Sequence, residues 1–79
     1  MITQIGMAAG AIWQFLDERG TSLFSQMAEE LPDSSELLLM ALGWLAREGH
    51  VTVSPDGADY RVALRSSHRE NPAPAEGVR

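Results

Sequence analysis

The sequence contains neither cysteine nor lysine. Without cysteine, the chain can form no disulfide and offers no thiolate to a metal ion. Its two histidines, His50 and His68, lie too far apart in sequence to suggest a metal site. A chain of 79 residues without such cross-links has a thin stability margin. A second copy of the chain is one remaining way to enlarge the hydrophobic core.

Long apolar runs are absent as well. The longest, Leu37–Ala46, has ten residues and includes Gly43, whereas about 20 are needed to cross a bilayer. Residues 1–4 lack the basic stretch that precedes the apolar run of a signal peptide. We therefore expect a single cytoplasmic domain with no membrane partner.

Positive charge is scarce in most of the chain. Residues 1–64 carry three arginines and nine carboxylates, a net charge of −6, whereas residues 65–79 carry a net charge of +1. A fold with this excess of negative charge repels phosphate at long range. The charge pattern therefore disfavours nucleic acid as the partner.

The sequence also lacks a recognisable set of catalytic residues. Helix caps account for the serines at positions 22, 25, 34 and 35. The acidic pairs Asp17–Glu18 and Glu29–Glu30 lie on faces that we expect to be solvated. No glycine-rich loop suited to phosphate is present. We therefore expect no enzymatic activity, no cofactor and no small-molecule ligand.

Apolar periodicity predicts three helices. The first runs from about Gln4 to Arg19, with Thr3 as its N-cap and Gly20 ending it in the left-handed conformation. Its inward face is a stripe of six apolar residues: Ile5, Ala8, Ala9, Ile12, Phe15 and Leu16.

The second and third helices are separated by a short link. Residues 21–22 either cap the second helix or form a brief extended segment, and the helix then runs to about Leu31. Asp33 and Glu36 form a predicted capping box for the third helix, which ends near Glu48. The four-residue link is short enough to set the two helices at the steep angle of a helix-turn-helix.

Two alternating segments follow, residues 51–54 and 60–64, with strong turn chemistry in residues 55–59 between them. They predict a hairpin whose inward face packs on the helices, formed by Val51, Val53, Tyr60, Val62 and Leu64. The predicted class is α+β, a winged helix-turn-helix over residues 1–64 in which a three-helix bundle carries a C-terminal two-stranded β-hairpin wing. Residues 65–79 are poor in apolar side chains and are expected to be a disordered tail.

Several segments match one known family. They are Ile5-Gly6 ahead of Ala9-Gly10 and Trp13, the run Ala41 to Gly49, and the strand Tyr60 to Leu64. With these segments the chain resembles a small bacterial winged helix-turn-helix family, formerly described as a domain of unknown function, over about residues 4–64. The resemblance implies the fold and frequent self-association, and no established activity. The leucine-rich third helix and the tail depart from the family pattern.

In winged helices that bind DNA, the third helix reads the major groove with its outward side chains. The outward positions predicted here are Ser35, Glu36, Leu39, Met40, Gly43 and Arg47. Two interpretations of Leu39 and Met40 stay open: both belong to the core, or they form an exposed apolar strip bordered by Trp44. Trp44 itself is either a half-buried residue that packs on the core or the hairpin, or part of an interface. Trp13 is likewise either a packing residue or part of an interface.

The sequence thus favours a non-enzymatic protein–protein association module, either a homodimer or a small subunit of a larger assembly. The predicted interface consists of Leu39, Met40, Gly43, Trp44 and Trp13. The alternative is a DNA-binding transcriptional regulator that contacts DNA through Arg47, Arg61 and Ser35, helped by the arginines of the tail. A third interpretation is a scaffold subunit whose residues 65–79 fold on a partner.

Overall fold

The computed structural model describes residues 1–65. The expected tail therefore lies, apart from Arg65, outside the described residues. Six elements follow one another along the chain: α1 (Ile2–Arg19), β1 (Ser22–Leu23), α2 (Phe24–Glu30), α3 (Ser35–Arg47), β2 (Val51–Asp56) and β3 (Asp59–Leu64).

Helix α1 begins two residues earlier than predicted. Met1 is its N-cap position and provides no side-chain cap, so the prediction of Thr3 as the cap is wrong. The helix extends because the backbone N–H of Ile5 donates to the carbonyl of Met1 at 2.9 Å, which leaves Thr3 inside the first turn. Gly20 ends the helix with φ 80° and ψ −166°. This is an extended conformation with positive φ that glycine adopts easily, not the predicted left-handed helical one.

The segment after α1 is extended. Ser22 pairs with Val62, and Leu23 pairs with Arg61, in antiparallel register. The described sheet therefore has three strands in the order β1-β3-β2, one more than the predicted hairpin. The added strand shields the edge of β3 that a two-stranded hairpin leaves unpaired.

The cap of α3 lies one residue later than predicted. Ser34, not Asp33, is the N-cap, and its Oγ accepts a hydrogen bond from the backbone N–H of Leu37 at 3.2 Å. The capping box is wrong as well, because a helix that starts at Ser35 puts Ser34 in the position from which a side chain reaches the third amide. The inward face is confirmed by the burial of Leu38, Ala41, Leu42 and Leu45.

Strands β2 and β3 are longer than predicted, because pairing continues to Asp56 opposite Asp59 and leaves only residues 57–58 in the turn. Val51 and Val62 are buried, as predicted for the inward face of the hairpin. Val53 and Tyr60 lie on the same face but remain exposed, which corrects their expected packing on the helices. They are nearer the turn, outside the core cluster, and line an open groove beside α3.

The core is one cluster to which all three helices and both hairpin strands contribute. Its buried apolar members are Ala8, Ala9, Ile12, Phe15, Leu16, Met27, Leu38, Ala41, Leu42, Leu45, Val51 and Val62. No helix within residues 1–65 is both long and apolar enough to span a membrane.

Candidate functional site

The solvent side of α3 is apolar at its centre. Leu39 is 47% exposed, Met40 44% and Trp44 48%. Of the two interpretations of Leu39 and Met40, the structure shows the exposed strip. We call the exposed side the α3 outer face, and it consists of Glu36, Leu39, Met40, Gly43, Trp44 and Arg47.

One flank of the α3 outer face is a groove beside the hairpin. The groove has a volume of about 260 Å³, and its walls are almost entirely apolar. It is lined by Leu39, Leu42, Gly43, Ala46, Val53 and Tyr60. Val53 and Tyr60 thus extend the predicted strip onto the wing, a role that sequence reasoning missed because their alternation indicated only a buried face.

The other flank is a recess of about 350 Å³ between α3 and the start of α1. Trp44 lines it together with Ile2, Ile5 and Gly6. The ring of Trp44 also lies 6.2 Å from that of His50, centroid to centroid, in a tilted arrangement. Trp44 therefore borders residues of α1 on one side while about half of its side chain faces solvent. Ile2 belongs to the same surface, which the sequence could not show because it depends on how α1 packs against α3.

Trp13 is separate from both features. It is 38% exposed on α1 and lines neither the groove nor the recess. The structure therefore brings Leu39, Gly43 and Trp44 together around Met40, and it leaves Trp13 outside that group.

The candidates for DNA contact do not converge. Ser35 and Arg47 stand at opposite ends of α3, about 18 Å apart along the helix axis. Arg61 lies on β3, next to the inward-facing Val62, so its side chain points to the opposite side of the sheet. Its guanidinium forms an ion pair with Asp56 on the neighbouring strand.

A second exposed ion pair joins Arg19 at the end of α1 to Glu30 at the end of α2. The hydrogen bond and the nearby opposite charge lower the pKa of Glu30 and raise that of Arg19. Two of the four arginines in residues 1–65 are therefore paired with carboxylates of the same chain. Within that range no group of three or more metal-binding side chains comes together.

Comparison with known protein families gives a match over most of the chain. A family model described as a winged helix-turn-helix domain (DUF2582) matches residues 1–64. No curated protein and no solved structure matches the chain.

Proposed function

The chain belongs to the winged helix-turn-helix domain family DUF2582, and from this fold we propose that it is a non-enzymatic module that associates with protein through the α3 outer face. The partner is most simply a second copy of the chain, or else a larger assembly in which the domain is a small subunit. The proposal rests on one observation: the helix that reads DNA in other winged helices is apolar here at the centre of its exposed side.

The apolar character of this face supports association. Leu39, Met40 and Trp44 are each nearly half exposed, and the groove beside Leu39 is lined almost wholly by apolar atoms. Contiguous apolar surface costs free energy in water, about 25 cal/mol per Å², and protein partners remove it from water. Methionine and tryptophan are also enriched at the centres of protein interfaces.

The electrostatics oppose the DNA-binding alternative. Affinity for DNA comes largely from cations that neutralise phosphates, and strong binders make about six to ten such contacts. In residues 1–65, Arg19 and Arg61 are already paired with carboxylates. Arg47 and Arg65 remain, and of these two only Arg47 lies on the α3 outer face, where Glu36 repels the same phosphate backbone.

Light scattering after size-exclusion chromatography, over a range of protein concentrations, tests the proposal. We expect the particle mass of the 79-residue chain to be that of a dimer or a larger oligomer. Leu39→Asp should shift this mass toward that of the monomer, because the new charge would have to be desolvated at the interface. Met7→Asp is the matched control, since Met7 is an exposed apolar residue of α1 that lines neither the groove nor the recess.

Two results decide against the proposal. One is a wild-type chain that stays monomeric and retains no partner in a pull-down with the purified domain as bait. The other is association that stays as strong in Leu39→Asp as in Met7→Asp and the wild type, which locates the contact elsewhere.

A further inference from the structure

Four residues of the α3 outer face follow the spacing of a helix-pairing seam. Glu36, Met40, Gly43 and Arg47 are separated by four, three and four residues, and all four are exposed. This spacing aligns side chains along the line at which one helix meets another. We call these four residues the α3 seam.

The two ends of the α3 seam carry opposite charges. Glu36 and Arg47 are eleven residues apart, which places them about 16 Å apart along the axis and within about 20° of each other around it. The ion pairs within residues 1–65 are Arg19–Glu30 and Arg61–Asp56, so neither end of the seam is engaged there. A surface with a negative end, an apolar centre and a positive end is complementary to its own reversed copy.

On the basis of the association function proposed above, we infer that the occupant of this face is a second copy of the chain, with the two α3 helices antiparallel about a twofold axis at the middle of the seam. Glu36 then lies level with the partner's Arg47, and the symmetry forms this pair twice. Charged pairs at the ends of an apolar contact fix its register and orientation.

The centre of the α3 seam suits the same arrangement. Met40 lies level with the partner's Gly43. The space around Gly43 is open: apart from its chain neighbours and the adjacent backbone of α3, no atom of residues 1–65 lies within 4 Å of where a Cβ would stand. A long flexible side chain therefore faces a position that has none. Leu39 and Trp44 lie on opposite flanks of the seam. In this arrangement the twofold axis places Leu39 beside the partner's Leu39 and Trp44 beside the partner's Trp44.

A parallel pair of α3 helices does not fit these charges. It places Glu36 beside the partner's Glu36 and Arg47 beside the partner's Arg47, and like charges in contact disfavour the complex. The sign pattern therefore selects the antiparallel orientation.

Charge exchange tests the orientation. We expect E36R and R47E, each alone, to weaken dimerisation by about tenfold, since each turns two attractive pairs into two repulsive ones. The dimer dissociation constant is measured by sedimentation equilibrium at about 0.1 M salt, where surface charges still interact over about 10 Å. Glu29→Arg on the exposed side of α2 changes the net charge as E36R does and serves as the control.

Recovery of dimerisation when the two charge reversals are combined is the decisive result. The double variant E36R/R47E and an equimolar mixture of E36R with R47E both re-form two opposite-charge pairs. We expect both to dimerise within about threefold of the wild type, and 0.5 M salt to reduce the differences between variants.

The variants also act on the fold of α3. A positive charge in its first turn and a negative charge in its last turn both oppose the helix dipole, so E36R/R47E should be the least stable monomer of the series. A fold defect alone therefore predicts the weakest dimer for the double variant, whereas the pairing predicts recovery. Circular dichroism records the fold. The neutral variants Glu36→Gln and Arg47→Gln remove the attraction without adding repulsion, so each should weaken the dimer less than the corresponding charge reversal.

The outcomes separate this inference from the proposed function. A dimer that Leu39→Asp breaks, but that shows no recovery in the double variant or the mixture, overturns the antiparallel seam and leaves the α3 outer face as the association surface. A dimer of E36R with wild type that is tighter than either homodimer shows parallel pairing and also overturns it. A wild-type chain that stays monomeric at millimolar concentration overturns the second copy as occupant.

Discussion

The carboxylate of Asp59 accepts a hydrogen bond from the backbone N–H of Ser25 at 3.2 Å, across 34 residues of sequence. Ser25 is the second residue of α2, whose N-cap position is Leu23, a side chain that cannot accept a hydrogen bond. Asp59 also accepts from its neighbour Tyr60 at 2.7 Å. The first residue of β3 therefore does for α2 what an N-cap side chain does in most helices.

This contact predicts the effect of Asp59→Ala. We expect a lower urea midpoint of unfolding, because α2 loses its acceptor and is too short, at seven residues, to be stable alone. Asp56→Ala is the control: it removes the carboxylate opposite Asp59 in the hairpin, which accepts its hydrogen bond from Arg61 and not from the backbone of α2. Equal midpoints for the two variants would mean that the cap has no role in stability.

Acid should destabilise the domain through two carboxylates. Hydrogen bonding by Ser25 and then by the Tyr60 backbone lowers the pKa of Asp59, and the hydrogen bond from Arg19 lowers that of Glu30. A carboxylate whose pKa is lowered in the folded state stabilises the fold at pH values above its usual pKa, which is 3.8 for Asp59 and 4.5 for Glu30. This stabilisation is lost as the pH falls through the lowered pKa.

Thermal unfolding between pH 6 and pH 2 measures this dependence. We expect Asp59→Asn and Glu30→Gln each to flatten the decline below about pH 4.5. Glu29→Gln, which removes the adjacent exposed carboxylate, should leave the slope as it is in the wild type. An unchanged slope in Asp59→Asn contradicts the assignment.

Adjacent leucines of α3 should respond differently to truncation. Leu38 is fully buried, and Leu38→Ala is expected to lower the free energy of unfolding by about 2–5 kcal/mol because it leaves a cavity. Leu39 is about half exposed, and Leu39→Ala should change the free energy of unfolding by about 0.5 kcal/mol or less. Urea titration of monomeric samples at low protein concentration gives both values, and a large loss for Leu39→Ala would place that residue in the core.

Two glycines should respond in opposite directions to alanine. Gly57 has φ 64° in the hairpin turn, so Gly57→Ala should cost about 1–2 kcal/mol of strain although the surrounding space is open. Gly10 lies in the interior of α1 with open space around it, so Gly10→Ala should stabilise the fold by about 1 kcal/mol. Thermal melts of the two variants against wild type check the signs.

The DNA-binding alternative has its own measurement. We expect no binding of a duplex tighter than about 100 µM at ~50 mM salt, measured by fluorescence anisotropy, because the folded part lacks the cations that release counterions. A variant without residues 66–79 separates the folded part from the arginines that follow it. Micromolar affinity that falls steeply with salt contradicts the association proposal and favours the regulator.

The sequence by itself determined the helices and which of their faces turn inward. A period of 3.6 is a local property, so the burial of Ile12 and Leu16 in α1, and of Leu38 and Leu42 in α3, followed from spacing alone. The excess of negative charge was equally available, because it depends on composition and not on arrangement.

Only the tertiary structure decided where these elements end and what they leave exposed. Residues 22–23 become a strand because β3 offers them an edge, and Asp59 caps α2 because the fold brings it to Ser25. Leu39 and Tyr60 stay exposed on the two sides of the open groove that the packing of the hairpin beside α3 leaves. Each of these outcomes arises from contacts between segments distant in sequence, which a local pattern does not encode.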